Sequence, residues 1–175
     1  MSQKDEEKNI PAPVFKFGEN FSSAYFGKLS DADSAEGNSV SDQKLISNFI
    51  GLLVDPTNRE LKAEVLNILR NAKAQQFLVD LIGLKQYEKH RKELIMACWE
   101  SGMNFSKHLI FFAELGANCE YPEAIEALTV IDEMHDFTDI RECEMAVKVL
   151  SSEYLSPDRQ LLNKNTVTYL RSFLA

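Results

Sequence analysis

Glycine and proline are scarce in this chain, at 7 and 5 of 175 residues. A fold of many short strands needs frequent turns, so so few breakers across long periodic stretches favour helices. Cysteine is scarcer still. Cys98, Cys119 and Cys143 are odd in number and lack CxxC spacing. That excludes a disulfide framework and a zinc ribbon, and reads as buried or free thiols in a reducing compartment. Phosphate-binding glycine loops (GxxxxGK[ST], GxGxxG), a GxSxG elbow and an HExxH pair are all missing. The charged start MSQKDEEKNIPAPVFKF has no apolar core of a secretory signal. The longest dense apolar run, Leu109 to Ala113, is far shorter than the roughly 20 residues that span a bilayer. These absences predict a cytoplasmic, noncatalytic protein without cofactor or metal.

Apolar residues make up 45% of the chain, enough for a sizeable core in one domain. Net charge is -8 and the pI is near 4.9. Such a chain repels phosphate backbones and anionic lipid on average, so neither nucleic acid nor membrane is an expected partner.

Residues 1–40 differ from the rest. They carry Pro11, Pro13, Gly18, Gly27, Gly37 and a polar run from Ser30 to Ser39, and no helical period holds. They read as a tail or linker. The aromatic stretch Val14, Phe15, Phe17, Phe21, Tyr25 and Phe26 is unusual for disorder, and fits either docking on the chain's own domain or a partner motif.

From Ser41 the pattern is helical. Apolar stripes run through Leu45, Ile46, Phe49, Ile50 and Leu53, then Leu61, Val65, Ile68 and Leu69, then Phe77, Leu78, Leu81 and Ile82. Tyr87, Leu94, Ile95 and Cys98 mark a fourth helix, and Phe105, Leu109, Phe112 and Ala113 a fifth capped by Asn104. Pro122 opens a sixth, with Ile125, Leu128, Ile131 and Met134 inward. Thr138 opens a seventh, with Ile140, Val147, Leu150 and Tyr154 inward, and Ser156-Pro157-Asp158 starts a last segment, broken near Asn163 and ending on Val167, Leu170, Phe173 and Leu174. Gly83, Gly102 and Gly116 are the expected helix stops. The prediction is about eight helices joined by short turns, hence antiparallel hairpins.

Helix starts near 43, 58, 74, 85, 104, 122, 138 and 157 recur as hairpins about every 30 to 35 residues, the range of α-solenoids. Asp136-Phe137-Thr138-Asp139-Ile140-Arg141 with Ala146 and Leu150 resembles the Asp, Val-Arg, Ala, Leu signature of HEAT or armadillo-type repeats; His90-Arg91-Lys92-Glu93-Leu94 with Ala97 is a looser echo. The resemblance implies an all-α domain at 41–175, a short right-handed α-solenoid of stacked antiparallel hairpins used as a binding scaffold. A compact irregular bundle is the alternative. Some HEAT-like folds are similar to DNA glycosylases, which implies a nucleic-acid module as a second reading, with Lys85, Lys89, Arg91 and Lys92 as its basic patch.

Individual residues offer little chemistry. His90 reads as solvated, and His108 as a surface or satisfied core histidine. Asp132-Glu133-Met134-His135-Asp136 holds one imperfect half of a carboxylate-histidine metal motif, which supports a small-ligand or metal site only weakly against a solvated acidic cluster. Cys98 falls on an apolar stripe, so burial is expected over reactivity. Trp99 is expected at a hairpin interface, or else as an exposed anchor.

Charge is unevenly spread. Arg59 to Lys92 holds eight Lys/Arg against four Asp/Glu, whereas Glu114 to Glu144 holds ten Asp/Glu and the single cation Arg141. The expected function is a protein–protein interaction module whose acidic face, Glu120, Glu123, Glu126, Asp132, Glu133, Asp136 and Asp139, meets a basic protein partner. Ordinary solvated faces and head-to-tail self-association are the alternatives.

Overall fold

The computed structural model describes residues 40–54, 57, 59–137 and 139–174. Residues 1–39, with the Val14–Phe26 aromatic stretch, lie outside the described residues, as does Thr138. Among the described residues there are eight α-helices and no strand. They are α1 (Val40–Val54), α2 (Arg59–Asn71), α3 (Gln75–Gly83), α4 (Arg91–Glu100), α5 (Leu109–Asn118), α6 (Tyr121–Asp132), α7 (Ile140–Leu150) and α8 (Pro157–Arg171). Short 3-10 turns at Lys85–His90 and Ser106–His108 lead into α4 and α5. None of the helices is long and apolar enough to cross a membrane.

Side chains and prolines set the helix starts. Asn104 Oδ1 accepts the Ser106 N–H at 3.0 Å and starts the turn into α5. Asp139 caps α7 through the Arg141 N–H at 2.8 Å. Ser156 accepts the Arg159 N–H at 3.3 Å, with Pro157 the first residue of α8. Pro122, in the first turn of α6, gives up an N–H that has no helical partner there.

The glycines differ from expectation. Gly102 alone of the described glycines has positive φ, +64°, and closes α4, with the Arg70 guanidinium lying over it. Gly83 is the last residue of α3 without a left-handed turn. Gly116 lies inside α5, where a Cβ would sit 2.9 Å from Leu128 Cδ2 and 3.3 Å from Leu150 Cδ2. It serves close packing, not termination. α8 is also unbroken: Asn163 is fully buried, and its amide donates to the Leu150 carbonyl at 2.9 Å, satisfying the C-terminus of α7.

One continuous core runs from Phe49 in α1 to Leu170 in α8. Phe105, Phe112, Leu94, Ile95, Ile131 and Leu150 are among its fully buried side chains, each stabilising by about 1.5–3 kcal/mol. Phe105 and Phe112 meet edge to face at 5.6 Å. α5 packs on α6 and α7, α7 on α8, α3 on α4 and α1 on α2. α4 also lies along α6, and α6 along α8. Arg91 near Glu123 joins the starts of α4 and α6, and Asn104 to the His135 carbonyl joins the loops that follow them, so the two helices run the same way. Thr166 to Asp132 and Tyr169 to the Met134 carbonyl do the same for the ends of α6 and α8.

Several expected inward residues face out. Ile140 and Tyr154 are 62% and 91% exposed, and Ile125 and Leu61 are also exposed. The buried face of α6 is Ala124, Ala127, Leu128, Val130 and Ile131.

Candidate interaction surface

The acidic stretch runs from α5 through α6 and the loop after it into α7, with all seven named carboxylates between Glu120 and Asp139, before α7 begins. Its seven named carboxylates divide by what they touch. Glu123 is half-buried and lies 3.8 Å from Arg91, whose guanidinium also reaches Glu88 at 3.7 Å and the Ile82 carbonyl at 3.3 Å. Glu126, also half-buried, accepts the Trp99 indole N–H at 3.0 Å, which places Trp99 at the α4–α6 interface. Asp132 accepts the Thr166 hydroxyl at 2.9 Å. Its residue is exposed along one side, but the carboxyl lies against α8. Burial there pushes its pKa up, the Thr166 hydrogen bond opposes, and Glu133 adds to the rise. Asp139 caps α7 while remaining exposed. Glu120, Glu133 and Asp136 are exposed with no ion pair among the described residues. Among the described residues, the one ion pair between the basic and the acidic region is Arg91 to Glu123.

The loop after α6 is fixed from two sides. Asn104 Nδ2 donates to the His135 carbonyl at 3.1 Å, and the Tyr169 hydroxyl donates to the Met134 carbonyl at 2.6 Å. Met134 is buried, which anchors the loop in the core. Between these ties Asp136 adopts φ 59°, a left-handed conformation that aspartate tolerates better than most side chains. Glu133 and Asp136 are therefore held in place on solvent-facing backbone.

Beside the loop stands an aromatic trio that the sequence reading did not single out. Phe137 and Phe173 meet at 4.7 Å, Tyr169 and Phe173 at 5.0 Å, and Phe137 and Tyr169 at 6.2 Å, all edge to face. Phe173, expected to pack inward, is 41% exposed. The i, i+4 spacing of Tyr169 and Phe173 was the available signal. Tyr169 has its pKa raised, first by burial and then by the nearby charges of Asp132 and Glu133.

The other candidate groups offer less. Burial pushes the Cys98 thiol well up; it is fully buried. Cys119 is raised by burial and Glu123, and Cys143 by burial, Glu142 and Asp139. All three thiols are held protonated at neutral pH, the unreactive form. His108 is half-buried at the start of α5, and burial lowers its pKa. His135 is exposed, and among the described residues no three or more His, Cys, Asp or Glu are placed to hold a metal. Of the basic patch, Lys85, Lys89 and Lys92 are exposed, while Arg91 is taken up by Glu88 and Glu123. No family model, curated protein or solved structure matches the chain.

Proposed function

We propose that this chain is a noncatalytic interaction module that presents the acidic edge of α6, α7 and their loop to a protein partner with a basic surface. One observation carries the reading. Of the ten carboxylates from Glu114 to Glu144, only Glu123 forms an ion pair among the described residues. Like charges left unpaired repel one another and raise the energy of the free fold, and a cationic partner relieves that repulsion. Glu120, Glu133, Asp136 and Asp139 supply its outermost charges, with Glu123, Glu126 and Asp132 set back by their bonds inside the chain.

The scaffold in this reading is a short right-handed α-solenoid of the HEAT type. Its support is the neighbour pattern: α4, α6 and α8 lie side by side and run alike, and α5 lies along α7. Stacked hairpins produce such contacts between alternate helices.

The test is Glu120→Gln, Glu133→Gln and Asp136→Asn together, which spares the four bonded carboxylates, Glu123, Glu126, Asp132 and the α7 cap Asp139. The triple variant should fold as well as or better than the parent. It should lose partners captured from the native cell, and the parent should capture fewer as salt rises. Equal capture by both proteins would make the acidic edge a solvated surface and refute the proposal.

A further inference from the structure

We propose that Phe137, Tyr169 and Phe173, with the carboxylates of Glu133 and Asp136, form a seat for an arginine side chain of that partner. The inference rests on the acidic-edge reading and adds the residue type that the edge selects.

The aromatic geometry is the first reason. Three rings with centroids 4.7–6.2 Å apart and tilted 67–70° or more fill the space between themselves. A cation cannot enter the middle. It can lie on the outer side, where Phe173 leaves 41% of its surface open. Ring faces carry the negative end of the aromatic quadrupole and attract cations. An aromatic surface left open beside free carboxylates is better matched to a cation with an apolar stem than to a hydrated metal ion or an apolar side chain.

Charge is the second reason. Phe137 directly follows Asp136 in the fixed loop, and Glu133 directly precedes Met134, whose carbonyl accepts the Tyr169 hydroxyl. Arg171, exposed two residues before Phe173, and Arg141, exposed at the start of α7, make no ion pair among the described residues.

The chemistry then selects arginine over lysine. A planar guanidinium stacks on a ring face and presents two parallel N–H groups to a carboxylate at its edge. An ammonium is also drawn to a ring face, but it is a strongly hydrated point charge with neither the plane that stacks nor the fork that meets a carboxylate through two parallel N–H groups. The two side-chain bonds from Asn104 and Tyr169 tie the loop backbone at His135 and Met134 and hold the Tyr169 ring against it before binding, which reduces the ordering needed.

The experiment uses the full chain and three probes at low salt: a blocked tetra-arginine peptide, the same peptide with neutral citrulline, and tetramethylammonium. The arginine peptide should shift the ring resonances of Phe173 and Tyr169, and the citrulline peptide should not. Phe173→Leu keeps apolar bulk but loses the ring, and should bind roughly threefold to fivefold more weakly. Tetramethylammonium forms no hydrogen bond, so it should shift the same rings in the unsubstituted protein, a readout independent of any variant's folding. If Phe173→Leu binds like the parent while Glu133→Gln with Asp136→Asn loses binding, the aromatic seat is refuted and the acidic edge stands. No binding by the parent refutes both. Self-association that Phe173→Leu abolishes would assign the arginine to a second copy and refute a separate partner.

Discussion

The indole of Trp99 donates its N–H to Glu126 Oε2 at 3.0 Å, from α4 across to α6. A residue counted by charge alone as part of a binding face is therefore also a link between stacked helices. The same holds for Glu123 with Arg91 and Asp132 with Thr166. The acidic stretch has an inner set that holds helices together and an outer set that faces solvent.

That division gives a direct test at the sole tryptophan. Glu126→Ala leaves a half-buried indole N–H without its acceptor and should destabilise the fold by about 1–2 kcal/mol. Glu126→Gln keeps an acceptor oxygen and should stay within about 0.5 kcal/mol. Urea melts followed by Trp99 emission measure both, and the folded-state emission should shift only for the alanine variant. Equal behaviour of the two variants would mean the hydrogen bond contributes nothing.

Gly116 offers a packing test. Alanine is the better helix former by about 1 kcal/mol, but its Cβ would press on Leu128 and Leu150, both buried. Overpacking of this kind typically costs about 1–3 kcal/mol, so Gly116→Ala should be net destabilising. Combined with Leu128→Ala, the pair should lose less than the sum of the two single changes, because the smaller side chain makes room. Strict additivity in denaturant melts would contradict the close approach of α5 to α6.

His108 sets a pH dependence. Burial lowers its pKa from the ordinary 6.5; Lys107 adds to the fall, while Asp80 and Glu142 oppose it. With the folded value lower, the unfolded chain binds more protons between the two values. Stability should then fall as pH drops through 6.5 towards the lower folded value, and recover nothing further below it from this group. His108→Gln should flatten that part of the profile. Urea midpoints at closely spaced pH values from 7.5 to 5 give the answer, and an unchanged slope in the variant would assign the dependence to another group.

Much of the helical order was legible because helix starts are written locally. Asn104, Pro122 and Ser156 do the work expected of them within one turn of their positions. Faces were harder to read. In α6 the buried stripe includes Ala124 and Ala127, small residues that hydropathy undervalues, so hydropathy points Ile125 inward although it is exposed. Gly116 illustrates another ambiguity: a glycine at the end of a stripe can stop a helix or let a neighbour approach, and only the position of Leu128 decides. The pairings Trp99–Glu126, Asn104–His135 and Asp132–Thr166 join residues 27 to 34 apart, fixed by how helices stack and invisible to any local pattern. The aromatic trio was half visible, since Tyr169 and Phe173 share a helical face but Phe137 reaches them only through the folded loop.

The two carbonyl ties that fix the loop at Met134 and His135 come from opposite directions in the chain, 35 residues downstream and 31 upstream. The surface they create is thus a conformational epitope. A peptide copied from the acidic stretch would carry the same charges without Asn104, Tyr169 or Phe173 to set their spacing. Under the proposed function, a partner of this edge would read three separate segments at once, and partial unfolding of α8 alone would remove Tyr169 and Phe173 from it.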